Sequence, residues 1–311
     1  MDAQAPSTVL MVRPAHFGFN PLTASSNAFQ KNDLDKSFHE VQAIALKEFD
    51  GFVNKLREFK VEVVVIEDSE EMVSQDAIFP NNWISFHHDG TVVLYPMMAA
   101  NRRLERREDI LLKLQKKYHF QINNILDLTS YEMEGRFLEG TGSVVFDYGH
   151  RIAYANSSPR TDEQVVDRLC DELNYGKVFF PALDVNGIEI YHTNVMMCLG
   201  DSYVVICLDT VPDEKSRIQL IHSFEETGKE VIDINFHQME HFAGNMIEVL
   251  SQDQEPVLIM SENAFLSLGK KQKKSLSKYA DIVYAPLQTI EKYGGGSARC
   301  MISGIFLPRN Q

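Results

Sequence analysis

The chain has 311 residues, 44% of them apolar and 24% charged, the balance of a soluble globular protein with a well-filled core and not of a disordered chain. Its formal net charge of −14 argues against nucleic-acid binding, which needs a concentrated basic surface. No apolar run of about 18 residues and no basic-then-apolar leader occurs, so neither a membrane span nor a secreted product is expected.

In chain order, a strand at Thr8–Arg13 is followed by a helix over 37–59 and a strand at Val61–Ile66. The stretch WISFHHDGTVVLYP then reads as two strands turning at Asp89-Gly90, ahead of a helix over 103–118. SVVFDYGHRIAYAN turns at Tyr148-Gly149 and leads to a helix over 161–175, where the Thr161 hydroxyl and Gln164 side chain can cap the first turn, and to a strand at Lys177–Phe180. VMMCLGDSYVVICL turns at Gly200-Asp201, before a helix over 213–227 and a strand at Val231–Ile234. MIEVLSQDQEPVLIM turns near Gln252-Asp253, before a helix over 262–278, whose lysines from Lys270 to Lys278 read as a solvated face, and a strand at Ile282–Tyr284. Ala298–Phe306 supplies the last strand. The segments 18–36 and 125–138 carry few signals and are expected to form a lid.

The turns at 90, 149, 200 and 253 lie 59, 51 and 53 residues apart, which reveals an internal repeat of hairpin, helix and strand. A fifth unit can be assembled from the two chain ends. Five units closing on themselves predict a single α/β domain over 1–311, a ring with adjacent termini and no exposed sheet edge. Equivalent positions of such units converge at one end of the axis. Asn82, His192 and Asn245 each stand 8 residues before their turn, Glu139 stands 10 before, and Cys300 leads the fifth segment.

These residue types suggest a chemistry. Cys300 follows Gly294-Gly295-Gly296-Ser297-Ala298-Arg299, a backbone free to approach a ligand, and a thiolate there would be a nucleophile. His192 titrates near neutrality and suits a proton carrier. Glu139 could orient that imidazole or grip a cationic nitrogen. Cys170, Cys198 and Cys207 sit in apolar patterns and are expected in the core. With no CxxC or Cys/His ligand pairing, neither a zinc site nor a disulfide frame is expected, and the thiols are expected to be reduced, in a cytoplasm. His87 and His88 fall in a hairpin turn and are expected to face solvent.

FLEGTGS, SSPRT, YHTN and GGGSARCM follow one another in the order found in the guanidine-group-modifying enzymes of the pentein fold. The whole chain resembles that superfamily: arginine deiminase, dimethylarginine dimethylaminohydrolase, succinylarginine dihydrolase and the amidinotransferases. It looks closest to the bacterial citrulline hydrolases among them. The resemblance implies a five-bladed α/β propeller with Cys300 as attacking thiolate, His192 as general acid/base and Glu139 as the catalytic glutamate. It also implies Arg160 as the arginine that holds the substrate carboxylate. AANRRLER falls where a second anion-binding arginine occurs, so Arg102 or Arg103 is implied, with Arg103 the chosen candidate.

The sequence departs from the deiminase pattern at two places. FPNNW has Asn82 where an aspartate normally grips the guanidinium, and Asn194 stands where the second aspartate would be. Glu139-Gly140-Thr141 also lacks the usual acidic residue after its glycines. Exchanging carboxylates for amides removes charge-assisted hydrogen bonds of about 1.5–3 kcal/mol each, and an amide suits a neutral ureido group that both donates and accepts. The expected activity is therefore hydrolysis of a ureido or guanidino carbon, with citrulline to ornithine preferred and no cofactor or metal. The expected partner is a small amino-acid substrate, with neither nucleic acid nor membrane. Arginine deimination or dihydrolysis, amidino transfer and a non-catalytic binding module are the alternatives. Oligomeric state stays open, a homo-oligomer being one arrangement.

Overall fold

The expected hairpins build five three-stranded sheets in the computed structural model, which describes residues 2–24, 26–32, 36–71 and 73–309. In each sheet an antiparallel hairpin is extended by a third strand that returns parallel to the hairpin's second. Ile84–Phe86 pairs with Thr91–Leu94, and Asn124–Asp127 joins it. Val144–Asp147, Ile152–Ser157 and Gly176–Pro181 form the second sheet. Met197–Leu199, Tyr203–Ile206 and Glu230–Asp233 form the third, and Ile247–Leu250, Pro256–Ser261 and Asp281–Ala285 the fourth. The fifth joins the chain ends: Thr8–Arg13 lies between Ser303–Ile305, antiparallel, and Glu62–Glu67, parallel.

Burial follows strand position. The first strands Ile84–Phe86, Val144–Asp147 and Met197–Leu199 are buried along their whole length, the polar Ser85 and Asp147 included. The third strands are more exposed, and Gly176–Pro181 alternates, because one face meets a helix and the other meets water. Neighbouring first strands touch: Ser303–Ile305 lies beside Ile84–Phe86, and Met197–Leu199 lies beside both Val144–Asp147 and Ile247–Leu250.

The helices begin where local chemistry satisfies their free amides. Ser37 and Glu40 make a reciprocal capping box for Phe38–Glu58, and Asp213 caps Glu214–Glu226. Glu163–Leu173 is capped by Asp162 and not by Thr161, whose hydroxyl instead accepts from Ser158 Oγ. The helix expected over 103–118 starts only at Glu108, because Ala100–Glu105 is a 3-10 turn that carries Arg102 inward onto Glu105. The one expected over 262–278 breaks into Glu262–Ser267 and Lys270–Leu276, where Leu268 is buried and Gln272 Oε1 accepts the Gly269 amide to start a new helix.

Three further expectations are corrected. The segment 125–138 is not a lid: it carries the end of the strand Asn124–Asp127 and a 3-10 turn, Thr129–Glu134, and the strand is exposed along most of its length, so no alternation marks it. Only Ser303–Ile305 of the strand expected over Ala298–Phe306 is extended, because 298–301 form a turn. His87 is buried, its Nε2 within 2.9 Å of Ser85 Oγ, while His88 is half-buried. Cys170, Cys198 and Cys207 lie in the core. Among the described residues no helix is long and apolar enough to cross a membrane.

Candidate active site

Each sheet is entered through a tight turn just before its first strand, and the candidate residues stand in those turns. Asn82 closes the 3-10 turn Pro80–Asn82 before Ile84. Glu139 precedes the short helix Gly140–Ser143, and His192 precedes Thr193–Met196. Asn245 and Cys300 lie in the turns before Ile247 and Ser303. The repeat spacing thus brings side chains from the turns of five sheets to one site.

Asn82, His192, Arg160 and Cys300 line one cavity, together with Asp76, Arg102 and the three glycines 294–296. Its volume is about 20 Å³, room for about one water. Thr23 and Asn27, from the segment expected to form a lid, line it too. Residues 25 and 33–35 of that segment lie outside the described residues.

Glu139 sits behind His192. Its Oε2 is 2.9 Å from His192 Nε2 and 3.3 Å from Arg160 Nη1, while Oε1 accepts the Met98 amide. Burial alone would raise its pKa, but Arg160, the hydrogen bond from His192 and Arg102 outweigh burial and hold it well below the ordinary carboxylate range. For His192 burial wins over Glu139, and the imidazole is pushed down to about 4. The pair is therefore an ionised carboxylate accepting from a neutral imidazole, an assignment that protonates Nε2 and leaves the lone pair on Nδ1. Tyr191 packs at 4.6 Å from the imidazole, under the Arg160 guanidinium at 5.0 Å.

Small residues make this approach possible. A Cβ on Gly142 would lie 2.5 Å from Asn82 Nδ2 and 2.7 Å from His192 Nδ1. The glycine run before Cys300 is pinned by Tyr191 Oη, which donates to Gly295 O at 2.6 Å, and by Ser297 Oγ, which donates to Glu291 at 2.6 Å. Gly295 has φ +63°, and the Phe79 ring closes on Gly294 and Gly296. Burial raises the Cys300 thiol's pKa, opposed by the Ser297 backbone, Asn245, Arg299 and Asn194.

Two expected residues stand elsewhere. Arg103 is one-third exposed and bonds Met97 O and Glu132 outside the cavity; Arg102, its neighbour on the 3-10 turn, points in instead. Arg102 makes a two-pronged pair with Glu105 at 2.9 and 2.8 Å and donates to Asn82 Oδ1 at 2.8 Å. Asn194 lies against the Cys300 sulfur, its Nδ2 at 3.6 Å, and is absent from the cavity wall. Asp76 escaped the sequence reading because no periodicity marks it. Its Oδ2 accepts from Asn20 and Thr23, while the buried Oδ1 has no protein partner.

The buried histidines make stability fall in acid. The unfolded chain takes up their protons near pH 6.5, whereas His87 and His192 resist protonation down to about 4, so stability drops as pH falls through that window. The shift corresponds to about 3 kcal/mol for His87. Urea midpoints measured from pH 7 to 4.5 should decline, and His87→Gln should flatten the decline; a midpoint independent of pH in wild type would contradict the burial argument.

A family model described as N,N dimethylarginine dimethylhydrolase, eukaryotic, matches residues 13–307. No curated protein matches the sequence. Among solved structures, an apo arginine dihydrolase, ArgZ, from the ornithine-ammonia cycle in Cyanobacteria superposes with TM-score 0.73 at 18% identity, over 97% of this chain and 41% of its own. The chain thus spans about two fifths of that relative's length. The separate N-terminal domain of ArgZ, bound to product, is covered over 99% of its length with TM-score 0.72 at 18% identity, over 97% of this chain. A dimethylarginine dimethylaminohydrolase from Pseudomonas aeruginosa, complexed with citrulline, matches at 0.64 and 13%, over 96% of this chain and 99% of its own. At these identities the likeness is one of fold.

Proposed function

The chain belongs to the N,N dimethylarginine dimethylhydrolase family, hydrolases of the guanidine-modifying pentein superfamily, and from that premise we propose a hydrolase of a ureido amino acid, citrulline to ornithine preferred. In this proposal the five sheets close into a ring that forms one catalytic unit over 1–311, with the segment 18–36 as its lid.

The observation that carries the substrate class is the orientation of Asn82. Arg102 donates to Asn82 Oδ1 at 2.8 Å and Asn82 Nδ2 donates one hydrogen to Asn81 Oδ1 at 3.2 Å, so the second N–H of the amide is left for a ligand in the cavity. A donor there suits the oxygen of a ureido group and opposes a guanidinium, which carries only donors. The free Oδ1 of Asp76 supports an α-ammonium in the same cavity, and Arg160, whose guanidinium donates to Thr23 O and Ser26 Oγ, supports the α-carboxylate once those two residues move away.

The steps balance as follows. The Cys300 sulfur adds to the ureido carbon while its proton passes to neutral His192. His192 returns the proton to the departing nitrogen of ornithine, leaving an S-carbamoyl group on Cys300. Water, deprotonated by His192, then displaces the thiolate, and the released carbamate breaks down to ammonia and carbon dioxide. Glu139 stabilises the imidazolium between these transfers. Arginine taken through two hydrolyses is the second reading, favoured by the arginine dihydrolases among the structural relatives.

Acid quenching during turnover of citrulline should trap a carbamoyl-sized mass increment on the peptide carrying Cys300. Turnover without any adduct on that peptide, and with full activity in Cys300→Ser, would overturn the assignment.

A further inference from the structure

Of the five turn positions that converge on the site, Asn245 is the one that grips the backbone of Cys300. It is fully buried, and its carboxamide is saturated in one orientation only. Oδ1 accepts the backbone amides of Arg299 at 3.1 Å and Cys300 at 3.4 Å. Nδ2 donates to Asn194 O at 2.8 Å and faces the Cys300 sulfur at 3.2 Å. A flipped amide would set its oxygen against a carbonyl and its NH₂ against two N–H donors, so the nitrogen must face the sulfur.

We propose that Asn245 is the thiolate-binding residue of this site: one end of its amide fixes the backbone that carries Cys300, and the other donates a hydrogen bond to the sulfur. The proposal deepens the reading of Cys300 as nucleophile and rests on it. A hydrogen bond from a fixed donor favours the ionised form of its acceptor, so it lowers the cost of forming a thiolate in a buried turn. The same bond holds the sulfur in place and limits the reorganisation needed at attack. Asn194 Nδ2, at 3.6 Å, is the weaker second donor.

The two roles of the amide separate in Asn245→Asp. The carboxylate can still accept the amides of residues 299 and 300, but it cannot donate to sulfur when ionised. The pH profile of Cys300 alkylation by iodoacetamide, read by mass spectrometry of its peptide, should move upward by a unit or more, which means about tenfold slower alkylation at neutral pH. Activity on citrulline should fall by at least the same factor. Asn245→Ala, which removes both halves, should move the profile in the same direction and serves if the aspartate variant does not fold. A profile superimposable on wild type in either folded variant would overturn the proposal. Alkylation needs no substrate, so a shifted profile in a protein that turns over neither citrulline nor arginine would sink the hydrolase reading while leaving this one standing.

Discussion

Cys300→Ser abolishes turnover, by four orders of magnitude or more on the scale of a lost nucleophile, and leaves the fold unchanged. The expectation follows from the sulfur's setting: it lies in a turn pinned by Tyr191, Asn27, Ser297 and Asn245, none of which bonds the thiol hydrogen. A hydroxyl fits the same space, so the turn persists. A serine alcohol, however, is far less acidic than a thiol, and neutral His192 alone does not ionise it. Steady-state rates with circular dichroism of both proteins test this; a serine variant with more than a hundredth of wild-type activity would remove Cys300 from the chemistry.

Glu139→Gln is expected to act on both rate and stability. The carboxylate is the shared counter-charge of Arg160 at 3.3 Å and Arg102 at 4.0 Å, and it bonds His192 at 2.9 Å. An amide in its place leaves two buried cations short of a partner, at about 3–5 kcal/mol for one broken buried pair. Arg102 retains Glu105, which sets the expectation toward the lower figure. On the rate, loss of the group that orients and charges the imidazole should cost about 10²–10⁴ in kcat. Urea denaturation and kcat at saturating citrulline read the two effects separately. A variant within tenfold of wild-type kcat would show that His192 works without its carboxylate.

How much of this was legible in the sequence depends on the length scale of the signal. The hairpins at Asp89-Gly90 and Gly200-Asp201 were readable because strand alternation and turn residues are local, and their spacing exposed the repeat. That repeat, with the resembling motifs, was enough to bring Asn82, Glu139, His192, Asn245 and Cys300 together. What escaped depended on which way a side chain turns inside a short irregular segment. Arg102 and Arg103 are adjacent and alike in sequence, and only the 3-10 geometry of Ala100–Glu105, with Glu105 three residues on, decides which enters the cavity. Asp76 lies in a loop without period, and His87 looked solvated because a hairpin end is usually exposed. Asn194 faces the sulfur because the helical turn after His192 rotates it away from the cavity.

The orientation of Asn82 carries the choice between ureido and guanidino substrates, and product identity tests it most directly. Purified protein should be given citrulline and arginine separately, with ammonia, ornithine and citrulline measured in each. Ornithine with ammonia is expected from citrulline, at a higher kcat/KM than any product from arginine. Citrulline accumulating from arginine, with citrulline itself left intact, would mean a deiminase that tolerates amides at Asn82 and Asn194, and would contradict the account.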